Sequence, residues 1–444
     1  MNTLRQDIPA GLVVFLVALP LCLGIAQASG LPPFAGLLTG VIGGLLVTAL
    51  SPSRFAVSGP AAGLVTIVVA SIETLGSFSA FLTALVLAGL MQCGLGLLRA
   101  GWFISLVPGS VIKGMLAAIG ILLIIQQIPV AFGIEGDAGL AGFASGAAAF
   151  SAPAMLVAGG SLAILWLWTT PLIKKAGALG WIPGPLVAVL FGCAATLFGG
   201  RLMPERANEL SRIALPSFDS LSALTAQLES PAWTAWQNPS VWVVAVTLAL
   251  VASLETLLSQ EALKKLRPQN PPPSPNREMF AQGIGNLSAG LLGAMPITAV
   301  IVRSSVNVST GAQSKLSVLI HGVLLLICGL WFSNLLNAIP LASLAAVLLY
   351  TGYKLATPRL FVEQFRMGAQ QYVPFLATIG GIILSGMLMG LQGLLAEIPE
   401  NSVVIVDHDN AAYLDPDVKA VLKDFGDSAD KRGIRLSQWP VAVK

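Results

Sequence analysis

Apolar runs of membrane-spanning length recur along the chain, separated by short polar stretches. They fall near 8–30, 34–51, 79–98, 109–133, 152–173, 182–199, 239–262, 278–294, 316–333, 335–356 and 369–390. Two further apolar segments are short and interrupted by small or polar residues. One is "FAVSGPAAGLVTIVVASI" (55–72); the other is "PITAVIVRSSVNVSTG" (296–311). The last forty-odd residues change character. "VVIVD" (403–407) reads as a buried strand, 415–433 as a capped amphipathic helix ending at Gly433, and "IRLSQW" (434–439) as a second strand. That order is a β-α-β fragment of a soluble domain, small to stand alone.

Composition agrees with the pattern. Of 444 residues, 55% are hydrophobic and only 10% charged, too few to cover a soluble globule of this size. The chain reads as a polytopic membrane protein, and its 46 glycines and 28 prolines suit packed or interrupted membrane helices. A net charge of +3 argues against a nucleic-acid surface. The first apolar run lacks a small-residue cleavage site and reads as a retained helix. The cysteines (Cys22, Cys93, Cys193, Cys328) lie far apart in apolar runs and read as buried small hydrophobes. With His321 and His408 isolated from them, no metal spacing appears, and no nucleophile–base spacing suggests a membrane enzyme.

Loop charges orient the spans. With Arg5 inside, the inside loops carry Arg99; Lys174 and Lys175; Lys264, Lys265, Arg267 and Arg277; Lys315; and Lys354, Arg359 and Arg366. The loop at 134–151 holds Glu135 and Asp137 and no basic residue, so the N-terminus is expected on the positive, inner side. The proline-rich stretch 266–278 reads as a linker between two halves. Each half contains one interrupted segment at a matching place. That arrangement points to an inverted-repeat transporter with its site at the bilayer midplane.

The interrupted segments carry the chemistry. "FAV" and "VIV" (300–302) read as short extended pieces leading into helices, with Ser58 a good N-cap and Pro60 suited to a first turn. Two helix starts facing a cavity would offer free N–H groups and two positive dipole ends to an anion. Arg303 then stands out. Burying it at mid-membrane costs about 2.5–3.5 kcal/mol on the lenient insertion scale. An anion would offset that cost, as would a carboxylate; snorkelling or purely structural pairing is the alternative. The carboxylate in view is Glu255, in "VASLETLLSQ" (251–260). It would hold Arg303 and carry protons. It could instead join Thr256 and Thr298 as hard oxygen ligands for sodium, or serve only as a structural partner. Lys113 reads as a snorkelling residue at a span end, and "GIGNLSAGLLG" (283–293) as a helix-packing stripe.

These segments resemble a known family. "DIPAGLVVFLVALPLCLGIAQASGLPPFAGLL" (7–38), "VSGPAAG" (57–63), "SLETLL" (253–258) and "PITAVIVRSSVNVSTGAQSKLS" (296–317) are similar, in order and spacing, to signatures of the sulfate permease (SulP) family of anion transporters. The tail resembles part of its cytoplasmic STAS module. The resemblance implies an all-α polytopic membrane protein with up to fourteen membrane segments in a 7+7 inverted repeat. It further implies a transporter domain over 1–395, with a core from segments 1–4 and 8–11 and a gate from 5–7 and 12–14, and a partial α/β STAS domain over 396–444. Carried over residue by residue, the family's anion site falls on Ser58, Gly59, Pro60, Ala61, Val302, Arg303 and Ser304, with Glu255 beside it. Homodimers in a bacterial inner membrane, both termini cytoplasmic, and a cytoplasmic partner for the STAS module are implied as well. No cofactor is expected beyond sodium or a proton as coupling ion. The wording of "LPLCLGIA" and "VSGPAAGL" looks most like members associated with bicarbonate. Sulfate or dicarboxylate transport, or an anion channel or sensor, is the alternative. The family pattern also leaves a last span and a first STAS strand missing near 388–394.

Overall fold

A computed structural model of the chain describes residues 2–101, 109–134, 150–170, 182–202, 210–216, 227–267 and 273–396, together with 403–405, Phe425, Ala429 and 434–437. Glu135, Asp137, Lys174, Lys175 and most of the tail helix expected at 415–433 lie outside these residues.

The first half contains α1 (Asn2–Ala28), α2 (Pro33–Leu50), β1 (Ser58–Pro60), α3 (Val65–Leu75), α4 (Phe78–Leu97), α5 (Gly109–Ala131), α6 (Ala152–Thr169) and α7 (Gly184–Leu202). The second contains α8 (Pro239–Leu266), α9 (Pro275–Leu292), β2 (Ile297–Ala299), α10 (Ile301–Ser309), α11 (Leu316–Trp331), α12 (Leu341–Leu355), α13 (Pro358–Arg366) and α14 (Ala369–Ala396). Among the described residues, six helices are long and apolar enough to cross a membrane unaided. The outer surface is apolar too: Leu98, Leu156, Trp166 and Trp331 are largely exposed, as lipid-facing side chains would be.

Two groups of helices pack side by side. In one, α4 packs on α8 and α9, and α1 on α2 and α11. In the other, α5 packs on α12 and α14, and α6 on α7 and α12. Contacts of α1 with α7 and α12 join the groups. The α4–α9 contact is very close because glycines form it. A Cβ on Gly89 would meet the Leu287 nitrogen at 2.4 Å, and one on Gly283 the Cys93 nitrogen at 2.6 Å. The stripe 283–293 is thus a packing surface, as its sequence suggested.

The run expected as one span at 335–356 is divided. Pro340 precedes α12 in an extended conformation, so the helix begins at Leu341, and a single turn at Ser333–Leu336 stands apart. Asn337 turns to the connection from the first half, where its amide brackets Leu215 through both the N–H (2.6 Å) and the carbonyl (2.9 Å). Arg359 and Arg366, read as loop charges, lie on α13, a short helix with polar and apolar faces; Arg359 pairs with Glu363 at 3.0 Å. α14 continues through 388–394 to Ala396. Beyond it, β3 (Val403–Ile405) and β4 (Arg435–Ser437) pair in parallel, Val403 opposite Arg435. A parallel pair requires a crossover connection, and Phe425 and Ala429 are buried within it.

Candidate functional site

The two interrupted segments meet as a miniature sheet. β1 and β2 are antiparallel, with Ser58 opposite Ala299, Gly59 opposite Thr298 and Pro60 opposite Ile297. All six residues are buried. Pairing satisfies extended backbone that the apolar interior could not otherwise tolerate.

Buried side chains hold the pair in place. Asn286 donates to the Ile297 carbonyl at 3.0 Å and accepts from the Ile297 N–H at 2.6 Å, replacing a third strand. Gln92 accepts from Asn286 at 2.7 Å and donates to Ser253 at 3.1 Å. Thr39 accepts from the Met295 N–H at 2.7 Å, and Thr256 from the Ala299 N–H at 3.2 Å. Ser304 bridges the segments, accepting from the Val57 N–H at 3.0 Å and donating to the Val300 carbonyl at 2.7 Å.

The sheet shifts the helix starts away from their expected places. Ser58 and Pro60 lie in β1, where they neither cap a helix nor begin one. Ala61 takes the capping position, followed by a tight turn over Ala62–Leu64. The Ser58 hydroxyl instead accepts from Gln282 at 2.8 Å. In the second segment the extended piece is Ile297–Ala299, not 300–302; Val300 is the N-cap and Arg303 lies in the first helical turn. The reason is strand pairing, which fixes three residues of each segment before a helix can begin.

Arg303 is completely buried, the largest such side chain among the described residues. Its guanidinium donates to the Pro60 carbonyl at 3.3 Å and to the Cys22 sulfur at 3.4 Å, while Nε has no partner. Glu255 is not its counterion: no ion pair joins the two residues. Each lies instead against a different glycine of the first segment. A Cβ on Gly59 would fall 2.5 Å from Arg303 Nη1, and one on Gly63 2.8 Å from Glu255 Oε1. The guanidinium reaches across β1, whereas the carboxylate lies against the turn after it. That separation is why the pair suggested by sequence does not form.

A cavity of about 320 Å³ opens between the two helix groups, beside these helix starts. Val302 and Arg303 border it, as does Glu255. On the first segment it is bordered by Ala62 and Gly63, just beyond the expected Ser58–Ala61. Lys113, expected to snorkel, lines it from α5. Of the oxygens considered for a coupling cation, Glu255 Oε2 and Thr298 Oγ1 are buried without partners, while Thr256 is committed to β2. Sequence reasoning read Lys113 as a snorkelling residue and Cys22 as a packed hydrophobe, and it missed the Asn286–Gln92 support. Asn286 and Gln92 were visible as amides in apolar runs, a pattern that costs free energy unless both ends are bonded.

The model of the sulfate permease family matches residues 4–378. The chain belongs to that family. It is therefore a membrane-embedded, multi-pass anion transporter. It is similar to the putative sulfate transporter YvdB of Bacillus subtilis (strain 168), 28% identical over 88% of this chain and 72% of the relative. It is also similar to the bicarbonate transporter BicA of Picosynechococcus sp. (strain ATCC 27264 / PCC 7002 / PR-6), 26% identical over 79% of this chain and 62% of that protein. Its fold resembles the transmembrane domain of a cyanobacterial bicarbonate transporter BicA, with a TM-score of 0.73 at 24% identity over 88% of this chain and 97% of that one. The structure of SLC26A9 matches with a TM-score of 0.71 at 16% identity, over 90% of this chain and 66% of that one.

Proposed function

We propose that the chain is a secondary active transporter whose substrate is bicarbonate, carried by an elevator-type movement and coupled to sodium or protons. The observation that carries this reading is the paired helix starts around β1 and β2 beside a cavity between two helix groups. The N–H groups of the first helical turn, Ile301–Arg303, have no partners within their helix, nor do those of Ala62 and Gly63 in the turn after Ala61. They form the anion seat together with the backbone from Ser58 to Ala61. Arg303 supplies charge from behind the sheet, and its existing bonds to Pro60 and Cys22 mean that it acts through the field. Charge balance favours a monoanion. The charged residues bordering the cavity, Lys113 and Arg303 against Glu255 and Glu261, cancel, so a monoanion, with less charge to desolvate, fits better than a dianion.

The group containing α1–α4 and α8–α11 acts as the mobile core, and that containing α5–α7, α12 and α14 as the gate. Two repeats of seven segments underlie both. Glu255 and Thr298 furnish the coupling site; protonation of Glu255 or sodium at its free oxygen would accompany the anion. The working form is a homodimer in a bacterial inner membrane with cytoplasmic termini, and 396–444 is a partial STAS module that docks a cytoplasmic partner.

The test is isotope uptake into proteoliposomes, comparing bicarbonate, sulfate and a dicarboxylate with and without sodium. Saturable bicarbonate uptake that exceeds the other two supports the reading. Preferred sulfate uptake overturns the substrate, and currents far above carrier turnover overturn the mechanism.

A further inference from the structure

The opposite face of α8 borders a second cavity, about 330 Å³ in volume. α8 presents Glu255, Leu258 and Ala262 to the first cavity, and Gln260, Leu263, Lys264 and Arg267 to the second. Arg54, from the turn before β1, and Arg277, from the start of α9, complete its charge. Four cations and no acidic residue line it. Lys264 has a surface partner, Glu261 at 3.8 Å, but Arg54 and Arg277 form no ion pair among the described residues. Arg267 is fixed: its guanidinium lies 4.9 Å from the centre of the Phe55 ring and donates to the Ala312 carbonyl at 3.1 Å.

Two further features point to a ligand. Gln260 borders the cavity and is more than nine-tenths buried. Its amide lies near the Glu278 carboxylate, yet neither amide atom completes a hydrogen bond. Ser274 caps α9, but its hydroxyl bonds no N–H of that helix, so the helix start, with Glu278 in its first turn, keeps free N–H groups beside the cavity. Four like charges held together repel one another, and a multivalent anion is the natural counterion.

The floor of this cavity is connected to the transport site. The Ser53 N–H donates to Ser51 Oγ at 3.0 Å, and Ser51 donates to Glu278 at 2.5 Å. Gln282 then bonds both Glu278, at 3.0 Å, and Ser58 in β1, at 2.8 Å.

We propose that this cavity is a second anion site, for a phosphate-type oxyanion, and that its occupancy influences β1 through the Ser51–Glu278–Gln282–Ser58 chain. The phosphate is either free or the head group of an acidic phospholipid.

The full chain is tested in nanodiscs of phosphatidylcholine, with its unfolding midpoint followed against inorganic phosphate and against chloride at equal ionic strength. Phosphate should raise the midpoint of the wild type and of Gly59→Val, whose added side chain would meet the Arg303 guanidinium at the transport site. It should do so with at least tenfold weaker apparent affinity in Arg54→Gln/Arg277→Gln. A single Arg54→Glu reversal gives the same reading if the double variant does not fold. Discs containing phosphatidic acid separate the sources. A raised midpoint that no longer responds to phosphate assigns the site to lipid; a persisting response assigns it to the free ion. An equal response to chloride, an unchanged affinity in the double variant, or no response to either probe overturns the site. Phosphate enclosed with the protein should also change the initial uptake rate at least twofold, and the double variant should lose this effect. Binding without any rate change overturns the link to β1.

Discussion

The guanidinium of Arg303 donates to the backbone carbonyl of Pro60 at 3.3 Å. The first turn of one interrupted segment therefore grips the strand of the other. A planar fork can hold that carbonyl and the Cys22 sulfur together; an ammonium cannot. Arg303→Lys is expected to lower anion uptake at least tenfold while keeping a folded protein, since it retains the charge and loses the geometry. Monodisperse elution together with wild-type uptake would show that only the charge matters.

Glu255 lies half-buried at the cavity with one oxygen unbonded. If it carries the coupling proton, Glu255→Gln should abolish the response of uptake to an imposed pH gradient while anion exchange continues. If it holds sodium, the same variant should lose sodium dependence instead. A variant that responds to both gradients as the wild type does would remove Glu255 from coupling.

Lys113 reaches the cavity from α5, across from the helix starts. Lys113→Ala removes a cation without touching the β1–β2 pair. The apparent KM for the anion should rise several-fold, with the unfolding midpoint within a degree or two of wild type. An unchanged KM would place Lys113 outside the anion's path.

Asn286 brackets Ile297 with two short bonds in a buried setting. Asn286→Leu leaves both backbone groups unsatisfied, at a cost of about 1–3 kcal/mol each. The variant is expected to unfold several degrees lower and to transport poorly, whereas Asn286→Asp should restore only the N–H contact. Denaturation of wild type and both variants in the same detergent checks the order.

Much of this arrangement was legible in the sequence, for physical reasons. Membrane spans must be apolar and of fixed length, so their places follow from hydropathy. Interrupted backbone is tolerated only over a protected site, so "SGPAAG" and "ITAVIVRSS" marked that site. Arg303 and Glu255 stood out because charge is expensive there. What could not be read was how the segments pair. A three-residue strand has too little pattern to reveal itself, so Ser58 looked like a cap and Pro60 like a first turn. Without the strand register, a lone cation and a lone anion looked like partners. In the fold they lie against different glycines, Gly59 and Gly63. Lys113 was hidden for a similar reason: only the packing of α5 on α12 turns it toward the cavity instead of the interface.

The most direct test of the central claim is uptake of isotope-labelled bicarbonate into proteoliposomes containing wild type or Gly59→Val, the variant whose added side chain would meet the Arg303 guanidinium. The anion-seat account predicts saturable uptake in the wild type and near-background uptake in a correctly folded Gly59→Val protein. Equal uptake by both would contradict it.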